Sequence, residues 1–295
     1  MAIWRFDVIQ PDSLEEAVAA LARHGQDAQL IAGGTDLLRD IHLGLKRPRW
    51  VISLDRIQAL GLISERPDGS LAVGSCVTMT ALGADERVAR RATALAEAAR
   101  GMGSPQVRNR ATVGGNLCNA RPCADTAPPA IVCDALLLLS GAAGSREVAC
   151  GQYMTGPGQT VRKADEILRE IRLPRLPLHS GSAFLSATNR KAVEITITSA
   201  AVRITLESSG GPIREAMIAL GSVGPIPLRS PAAEAVLVGQ LPVDTLLARA
   251  ASAAVGDCRP IDDMRAGAAY RRWMVETLVA RALQIACQRA REGST

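Results

Sequence analysis

The sequence contains few aromatic residues. Only three Trp, two Tyr and two Phe occur among 295 residues, although 47% of the residues are hydrophobic. Single-stranded nucleic acids bind proteins largely by stacking their bases on aromatic side chains, so this scarcity argues against a nucleic-acid-binding protein. The net charge of +5 is mild and the basic residues are spread along the chain, which argues the same way. We therefore expect a core of Ala, Leu, Ile and Val, and no nucleic-acid partner.

Long apolar runs are also missing. The chain has no stretch of about 18 apolar residues, the length that crosses a bilayer. Its first residues lack the basic segment and the apolar stretch of a secretory signal peptide. Seven cysteines, an odd number at irregular spacing, do not indicate a disulfide framework. These features predict a cytoplasmic protein with no membrane insertion.

Spacings typical of metal ligands and catalytic groups do not stand out either. The three His are scattered, and Cys118, Cys123, Cys133 and Cys150 lack the short pair with two intervening residues that is typical of iron–sulfur ligands. Free cysteines are also ordinary small core residues. No nucleophile–base pair or pair of carboxylates is evident. We predict no metal site and no catalytic residue on this chain.

Two glycine-centred segments are the most informative feature of the sequence. The apolar run 28–32 ends in Gly33-Gly34-Thr35-Asp36, and the shorter run 111–113 ends in Gly114-Gly115-Asn116. A double glycine admits positive φ, so that consecutive backbone N–H groups can converge on one anion. A single such pair is usually a tight turn, but two pairs with similar flanks predict the two sides of one diphosphate site. A cofactor that carries a pyrophosphate is the expected occupant.

Other nucleotide motifs are absent. The segment 101–106 approaches the dinucleotide fingerprint, but Gln106 stands at its third glycine position and Pro105 interrupts the expected helix. Neither glycine segment carries the lysine of a nucleotide triphosphatase. Asp125 follows the second segment; a carboxylate repels a diphosphate, so it would instead accept hydrogen bonds from sugar or ribityl hydroxyls. In the alternative interpretation, Asp125 only caps a helix near Pro128.

The segment pattern predicts both helices and strands. A capping box at Ser13 begins a helix that Gly25 ends, and Pro174 and Pro177 mark the main boundary. Beyond it, Ser208–Gly211 connects two strands of a hairpin. The predicted strands are 29–32, 51–54, 71–74, 136–139, 167–173, 200–206 and 213–220, and the further predicted helices are 92–99, 128–134, 231–238, 244–255 and 267–291.

The chain resembles the FAD-binding medium subunit of molybdenum hydroxylases, the family of carbon monoxide dehydrogenase and xanthine dehydrogenase flavoproteins. The resemblance covers nearly the whole length, and the two glycine segments are its most specific part. The other matching stretches are Phe6, Pro11 and 13–17, 106–109, 122–125, Glu170-Ile171-Arg172-Leu173-Pro174, Gly221-Ser222-Val223-Gly224-Pro225 and Tyr270-Arg271-Arg272.

The resemblance implies an α+β fold, with a PCMH-like FAD-binding domain at 1–176 that has subdomains of about 1–58 and 59–176. It implies a C-terminal domain at 177–291 with a three-stranded antiparallel sheet and a helical bundle. Asp125 would bond to FAD hydroxyls, Leu168 would pack on the isoalloxazine ring, and Met102 would be an apolar contact of the cofactor. The residues implied around the diphosphate are Ile31, Ala32, Gly33, Gly34, Thr35, Asp36, Leu37, Thr112, Val113, Gly114, Gly115 and Asn116.

Two positions allow this chain to be compared in detail with members of the family. Ser186 stands where relatives usually carry a lysine that approaches the flavin, and a serine has no charge to stabilise a reduced anionic ring; Arg190 or Lys191 are candidates to compensate. Relatives with an extra iron–sulfur cluster have an insertion after the second glycine segment, whereas Asn116 runs to Asp125 here without one.

The resemblance implies an oxidoreductase component that passes electrons from iron–sulfur clusters to an acceptor such as NAD or a quinone. Its partners would be a molybdenum-cofactor large subunit and a [2Fe-2S] small subunit, in a heterotrimer or a dimer of heterotrimers. A self-sufficient flavoprotein oxidase, active alone, is one alternative. A scaffold subunit that has lost FAD is another, against which the intact glycine segments argue.

Overall fold

A small parallel sheet begins the fold. The computed structural model describes residues 4–190 and 195–293. Ser13 accepts a hydrogen bond from the Glu16 N–H and caps the first helix, which ends at Gly25 as predicted. This helix buries Val18 and Leu21 against the sheet, whose strand order is β1-β3-β2. The elements are β1 (Asp7–Ile9), α1 (Leu14–His24), β2 (Ala28–Ile31), α2 (Leu37–His42) and β3 (Trp50–Ser53).

A five-stranded antiparallel sheet forms the second unit. Its order is β4-β5-β10-β6-β7, and the helices between β5 and β6 pack on it in a core made mostly of Ala, Leu and Val. Strands β5 and β10 have the predicted bounds. The strands are β4 (Ile63–Glu65), β5 (Leu71–Gly74), β6 (Leu136–Gly141), β7 (Gly144–Ala149) and β10 (Ile167–Leu173), with the separate pair β8 (Met154–Gly156) and β9 (Gln159–Thr160). The helices are α3 (Met79–Ala84), α4 (Glu86–Arg91), α5 (Thr93–Gly101), α6 (Pro105–Arg108), α7 (Val113–Asn119) and α8 (Ala127–Val132).

The C-terminal unit is an antiparallel sheet covered by helices. The sheet is four-stranded, in the order β11-β12-β13-β14, rather than three-stranded as expected. The additional strand β14 has only two residues, which is too short to leave a hydrophobic pattern in the sequence. The elements are β11 (Ser180–Ala187), β12 (Thr198–Leu206), β13 (Ile213–Gly221), β14 (Leu228–Arg229), α9 (Pro231–Leu237), α10 (Asp244–Asp257) and α11 (Ala268–Glu292).

The C-terminal unit packs directly on the second unit. All nine residues of β12 are buried, because α11 lies against this strand on one side and α8 on the other. Arg203 on β12 is 2% exposed and donates a 2.6 Å hydrogen bond from Nε to the Val132 carbonyl. Its Nη2 also contacts Asp134 and Glu215. A charged group this deeply buried is tolerated because it is fully paired.

Two local predictions are wrong. The second glycine pair does not lie in a loop but in the first turn of α7. The predicted loop 101–110 contains the short helix α6, which Ser104 caps and in which Pro105 takes the first position. Proline is favoured there, because its missing N–H would have no helical partner. It therefore starts a helix instead of interrupting one.

Candidate functional site

The first glycine segment connects β2 to α2 and carries unpaired main-chain donors. Gly34 has φ +75°, a conformation that glycine adopts without strain. Among the described residues, none accepts a hydrogen bond from the main-chain N–H groups of Gly33, Gly34, Thr35 or Asp36. Consecutive free N–H groups in such a turn form a concave site for an anion. This segment therefore has the donors that a diphosphate requires.

The second glycine pair uses its donors within the protein. The Gly114 N–H donates to the Ser75 carbonyl at 2.9 Å, and the Gly115 N–H donates to Oγ1 of Thr112, the N-cap of α7, at 3.1 Å. The expectation that this pair also presents free converging N–H groups at positive φ is wrong. Gly114 is required for a different reason, since a Cβ there would lie 2.5 Å from the Ser75 Cβ. The pair serves close packing of α7.

The two glycine segments lie side by side, as expected. A Cβ added to Gly33 would overlap the Arg110 carbonyl group, whose carbon would be only 2.6 Å away. Arg110 lies two residues before the cap of α7, so the first segment rests on the approach to the second. A small cleft of about 40 Å³ is shared by both segments, with Ala32 and Gly33 on one side and Thr112 on the other.

Asp125 has an unsatisfied carboxylate oxygen. Its Oδ1 is buried and has no hydrogen-bond partner among the described residues. Burial raises the pKa of Asp125 to about 6, and a hydrogen bond with the Thr196 side chain works in the opposite direction. A buried polar atom without a partner costs free energy, so this oxygen indicates a site for a hydrogen-bond donor that a ligand would bring.

The structure does not support Asp125 as a helix cap. Helix α8 begins at Ala127, and its N-cap position is occupied by Thr126 without a capping hydrogen bond from the side chain. Asn116 on α7 instead fixes this segment, because its Oδ1 accepts hydrogen bonds from the Thr126 N–H at 3.2 Å and from the Thr126 hydroxyl at 2.6 Å. The side-chain amide oxygen of Asn116 thus holds Thr126, and with it the neighbouring Asp125, beside α7.

The remaining predicted site residues lie on several different elements. Ile31 ends β2 and Leu37 begins α2, while Val113 is buried in α7. Met102 is partly buried against the second core. Leu168 is only 3% exposed and belongs to the same core, so its own unit covers most of its side chain.

Ser186 is exposed near the end of β11. The Thr188 hydroxyl in the turn that follows donates to the Arg190 carbonyl at 2.6 Å. Lys191, the other candidate to compensate for the missing lysine, lies outside the described residues.

A cavity beside the start of β2 was not predicted from the sequence. It has a volume of about 220 Å³ and lies between β2 and the loop before β10. Gln29 and Leu30 of β2 line it on one side and Arg162 on the other. Gln29 lies in a predicted strand, and nothing in the sequence distinguishes an amide side chain that lines a cavity from one that faces solvent. Arg162 lies more than 130 residues away in the sequence, and nothing in its local sequence distinguishes it from a surface arginine.

The cysteines are isolated thiols. All seven are free, and no group of three or more His, Cys, Asp or Glu with metal-binding geometry occurs in residues 4–190 and 195–293. The Cys118 sulfur lies 3.1 Å from the Tyr153 hydroxyl, and burial raises the pKa of the Cys118 thiol. In the part of the chain that the structure describes, no helix has the length and apolarity to cross a bilayer.

This geometry defines a class of protein. Free N–H donors at the end of a strand, a second glycine segment in contact with them and a buried carboxylate without a partner suit a dinucleotide-type cofactor bound between two subdomains. Comparisons with known proteins agree. Residues 4–176 match the FAD binding domain in molybdopterin dehydrogenase, and residues 183–286 match the CO dehydrogenase flavoprotein C-terminal domain.

The chain therefore belongs to the FAD-binding flavoprotein family of molybdopterin dehydrogenases, and it is an oxidoreductase component whose cofactor is FAD. It is 33% identical to the carbon monoxide dehydrogenase medium chain of Hydrogenophaga pseudoflava, covering 97% of this chain and 98% of the relative. It is 34% identical to the xanthine dehydrogenase FAD-binding subunit of Escherichia coli O157:H7, covering 92% of each. The solved carbon monoxide dehydrogenase from Hydrogenophaga pseudoflava matches with a TM-score of 0.92 at 34% identity, over 97% of this chain and 98% of the solved one.

Proposed function

We propose that this chain is the FAD-carrying electron-transfer subunit of a multi-subunit molybdenum hydroxylase. It takes electrons from iron–sulfur clusters on a small subunit and passes them to an external acceptor such as NAD or a quinone. The names of its relatives support this proposal, since they are medium chains and FAD-binding subunits of carbon monoxide and xanthine dehydrogenases. Two observations carry it: the contact between the two glycine segments and the unpaired Asp125 carboxylate oxygen.

The residues present suit FAD. The diphosphate would lie on the free N–H groups of 33–36, where it would supply the missing acceptors. The Asp125 carboxylate would repel a diphosphate but accept hydrogen bonds from sugar or ribityl hydroxyls, which would satisfy its orphaned Oδ1. The second glycine segment, from Thr112 to Asn116, would form the opposite wall.

The isoalloxazine ring would contact Leu168 and Met102. Because Leu168 is 3% exposed, this contact involves its edge and a small displacement of neighbouring side chains. Ser186 would leave the ring without the lysine charge that relatives usually place there, which would alter the reduction potential.

When bound, FAD supplies the hydride and electron chemistry, as cofactors generally do. The chain's own residues bind the diphosphate, orient the hydroxyls through Asp125 and exclude water from the buried part of the cleft. No catalytic residue is assigned to this chain, since substrate hydroxylation would take place on a molybdenum-cofactor large subunit.

The proposed assembly is a cytoplasmic heterotrimer with that large subunit and a [2Fe-2S] small subunit, or a dimer of such heterotrimers. The domain bounds 1–176 and 177–291 are proposed as the cofactor-binding unit and the C-terminal unit.

Native co-purification with mass spectrometry of the partners and extraction of the flavin tests this function. We expect stoichiometric FAD, a large and a small partner, and no substrate turnover by the isolated chain. Substrate turnover by the flavin-loaded chain alone would indicate a self-sufficient oxidase instead. A colourless chain that still assembles with partners would indicate a scaffold.

A further inference from the structure

A buried arginine lies in the first turn of the last helix, α11. Arg271 is 4% exposed, and its Nη1 donates to the Ile197 carbonyl and, at 3.0 Å, to the Ser222 carbonyl. Its Nη2 lies 2.8 Å from Oδ1 of Asp263. The guanidinium thus joins two separate backbone segments of the C-terminal unit, one just before β12 and one just after β13.

The segment just after β13 contains a residue in an unusual conformation. Ser222 has φ +61°, in the left-handed region that costs a non-glycine residue about 1 kcal/mol or more. Its N–H donates to the Pro122 carbonyl at 2.9 Å, and its hydroxyl donates to the Thr196 carbonyl at 3.0 Å. This conformation is therefore held by one contact with Pro122, which precedes Asp125 in the chain, and by another with Thr196.

The segment just before β12 lies close to Asp125. Thr196 precedes Ile197, whose carbonyl accepts a hydrogen bond from Arg271, and the Thr196 side chain is close enough to the Asp125 carboxylate to act on its pKa. Hydrogen bonds through Ser222 therefore connect Pro122, three residues before Asp125, to the Arg271 guanidinium, and the residue after Thr196 is bonded to the same guanidinium.

We propose that Arg271 is a positioning residue for FAD, which holds the Asp125 carboxylate where the cofactor hydroxyls meet it. This inference rests on the proposed function. It makes the C-terminal unit part of the cofactor site, although Arg271 does not contact Asp125 itself and acts through the residues between them.

Two other arginines provide matched controls. Arg272 is adjacent in sequence but exposed. Arg203 is buried on the same sheet and also reaches across to the second unit, but its contacts are with Val132, Asp134, Glu215 and Met217 rather than with 122–125. Arg203→Gln therefore reports the effect of losing a buried arginine in general.

The test measures the FAD dissociation constant of the full-length apoprotein by flavin fluorescence quenching. We expect Arg271→Gln to raise it at least about tenfold, the factor expected for one lost charge-assisted hydrogen bond. Arg271→Lys should recover part of the affinity, because an ammonium still reaches one carbonyl. Arg272→Gln should stay within about twofold, and Arg203→Gln should lower thermal stability more than affinity.

A double-mutant cycle distinguishes positioning from general damage. In an Asp125→Asn background, Arg271→Gln should cost much less affinity than in the wild type, because the two residues act through one contact. Additive effects would overturn the proposal, as would an Arg271→Gln protein with wild-type affinity or an Arg203→Gln protein that loses as much affinity.

If Arg271→Gln does not fold, Ser222→Gly decides the question. Glycine keeps the positive φ and the N–H to Pro122 but removes the hydroxyl that holds Thr196. About threefold weaker FAD binding or more is expected from losing this neutral hydrogen bond, and unchanged affinity would overturn the proposal. A wild-type protein that binds no FAD would instead refute the proposed function.

Discussion

Replacing Gly33 with alanine tests whether the two glycine segments must touch for FAD to bind. The added Cβ would lie 2.6 Å from the Arg110 carbonyl carbon, about 0.8 Å short of the 3.4 Å at which ordinary contact begins. The opposing atoms belong to the backbone, so the segments themselves must separate. Overpacking in a closely packed region costs about 1–3 kcal/mol. Backbone opposition puts this site at the upper end, which corresponds to about a hundredfold weaker FAD binding.

The measurement is the FAD dissociation constant of the apoprotein, with circular dichroism to verify the fold. Gly61→Ala is the matched control, because a Cβ at Gly61 meets nothing within 4 Å and the residue does not require positive φ. It should bind FAD like the wild type. A Gly33→Ala protein with wild-type affinity would show that FAD binding does not depend on the contact between the two segments.

Three further predictions follow from charged and thiol groups. Lowering the pH through about 6 should weaken FAD binding, because Asp125 takes up a proton there and loses acceptor capacity; Asp125→Asn should remove this dependence, and a flat wild-type profile would contradict it. The stability of the apoprotein depends on pH in the opposite direction. Because the pKa of Asp125 is raised, the stabilisation by this group is present below about pH 4 and is lost as the pH rises through about 6. Arg203→Met should lower the free energy of unfolding by about 2–3 kcal/mol in urea denaturation, and a change under about 0.5 kcal/mol would show that its contacts are energetically silent. Replacing Cys118 and Cys123 with Ala should leave the iron content of the isolated chain unchanged at zero, whereas stoichiometric iron in the unmodified chain would contradict the prediction of no metal.

Local signals in the sequence predicted many of the elements well. Ser13 and Gly25 bound α1 because capping and helix termination depend on neighbouring residues alone. Strand β5 at Leu71–Gly74 and strand β10 at Ile167–Leu173 were readable from their apolar β-branched residues and the turn signals at their ends.

The elements that were missed depend on distant contacts. Helix α7 contains two glycines in its first turn, and glycine opposes helix formation; the cap at Thr112 and the close approach of Ser75 outweigh that preference. Strand β11 is rich in small residues, so its sequence has little strand propensity. It forms because β12 and α11 cover it.

The candidate site shows the same division. The side-by-side glycine segments followed from the repeated motif, and the special role of Asp125 followed from the chemistry of a carboxylate near phosphate. The orphaned Oδ1, the cavity beside Gln29 and the connection through Arg271 arise from residues far apart in the chain. Periodicity and spacing carry no information about such meetings.

A crystal structure of the chain reconstituted with FAD would show directly where the cofactor's diphosphate binds. We expect the diphosphate on the main-chain N–H groups of 33–36, facing the start of α7, with a cofactor hydroxyl bonded to Asp125. A diphosphate bound elsewhere, with those N–H groups left open to solvent, would contradict this expectation.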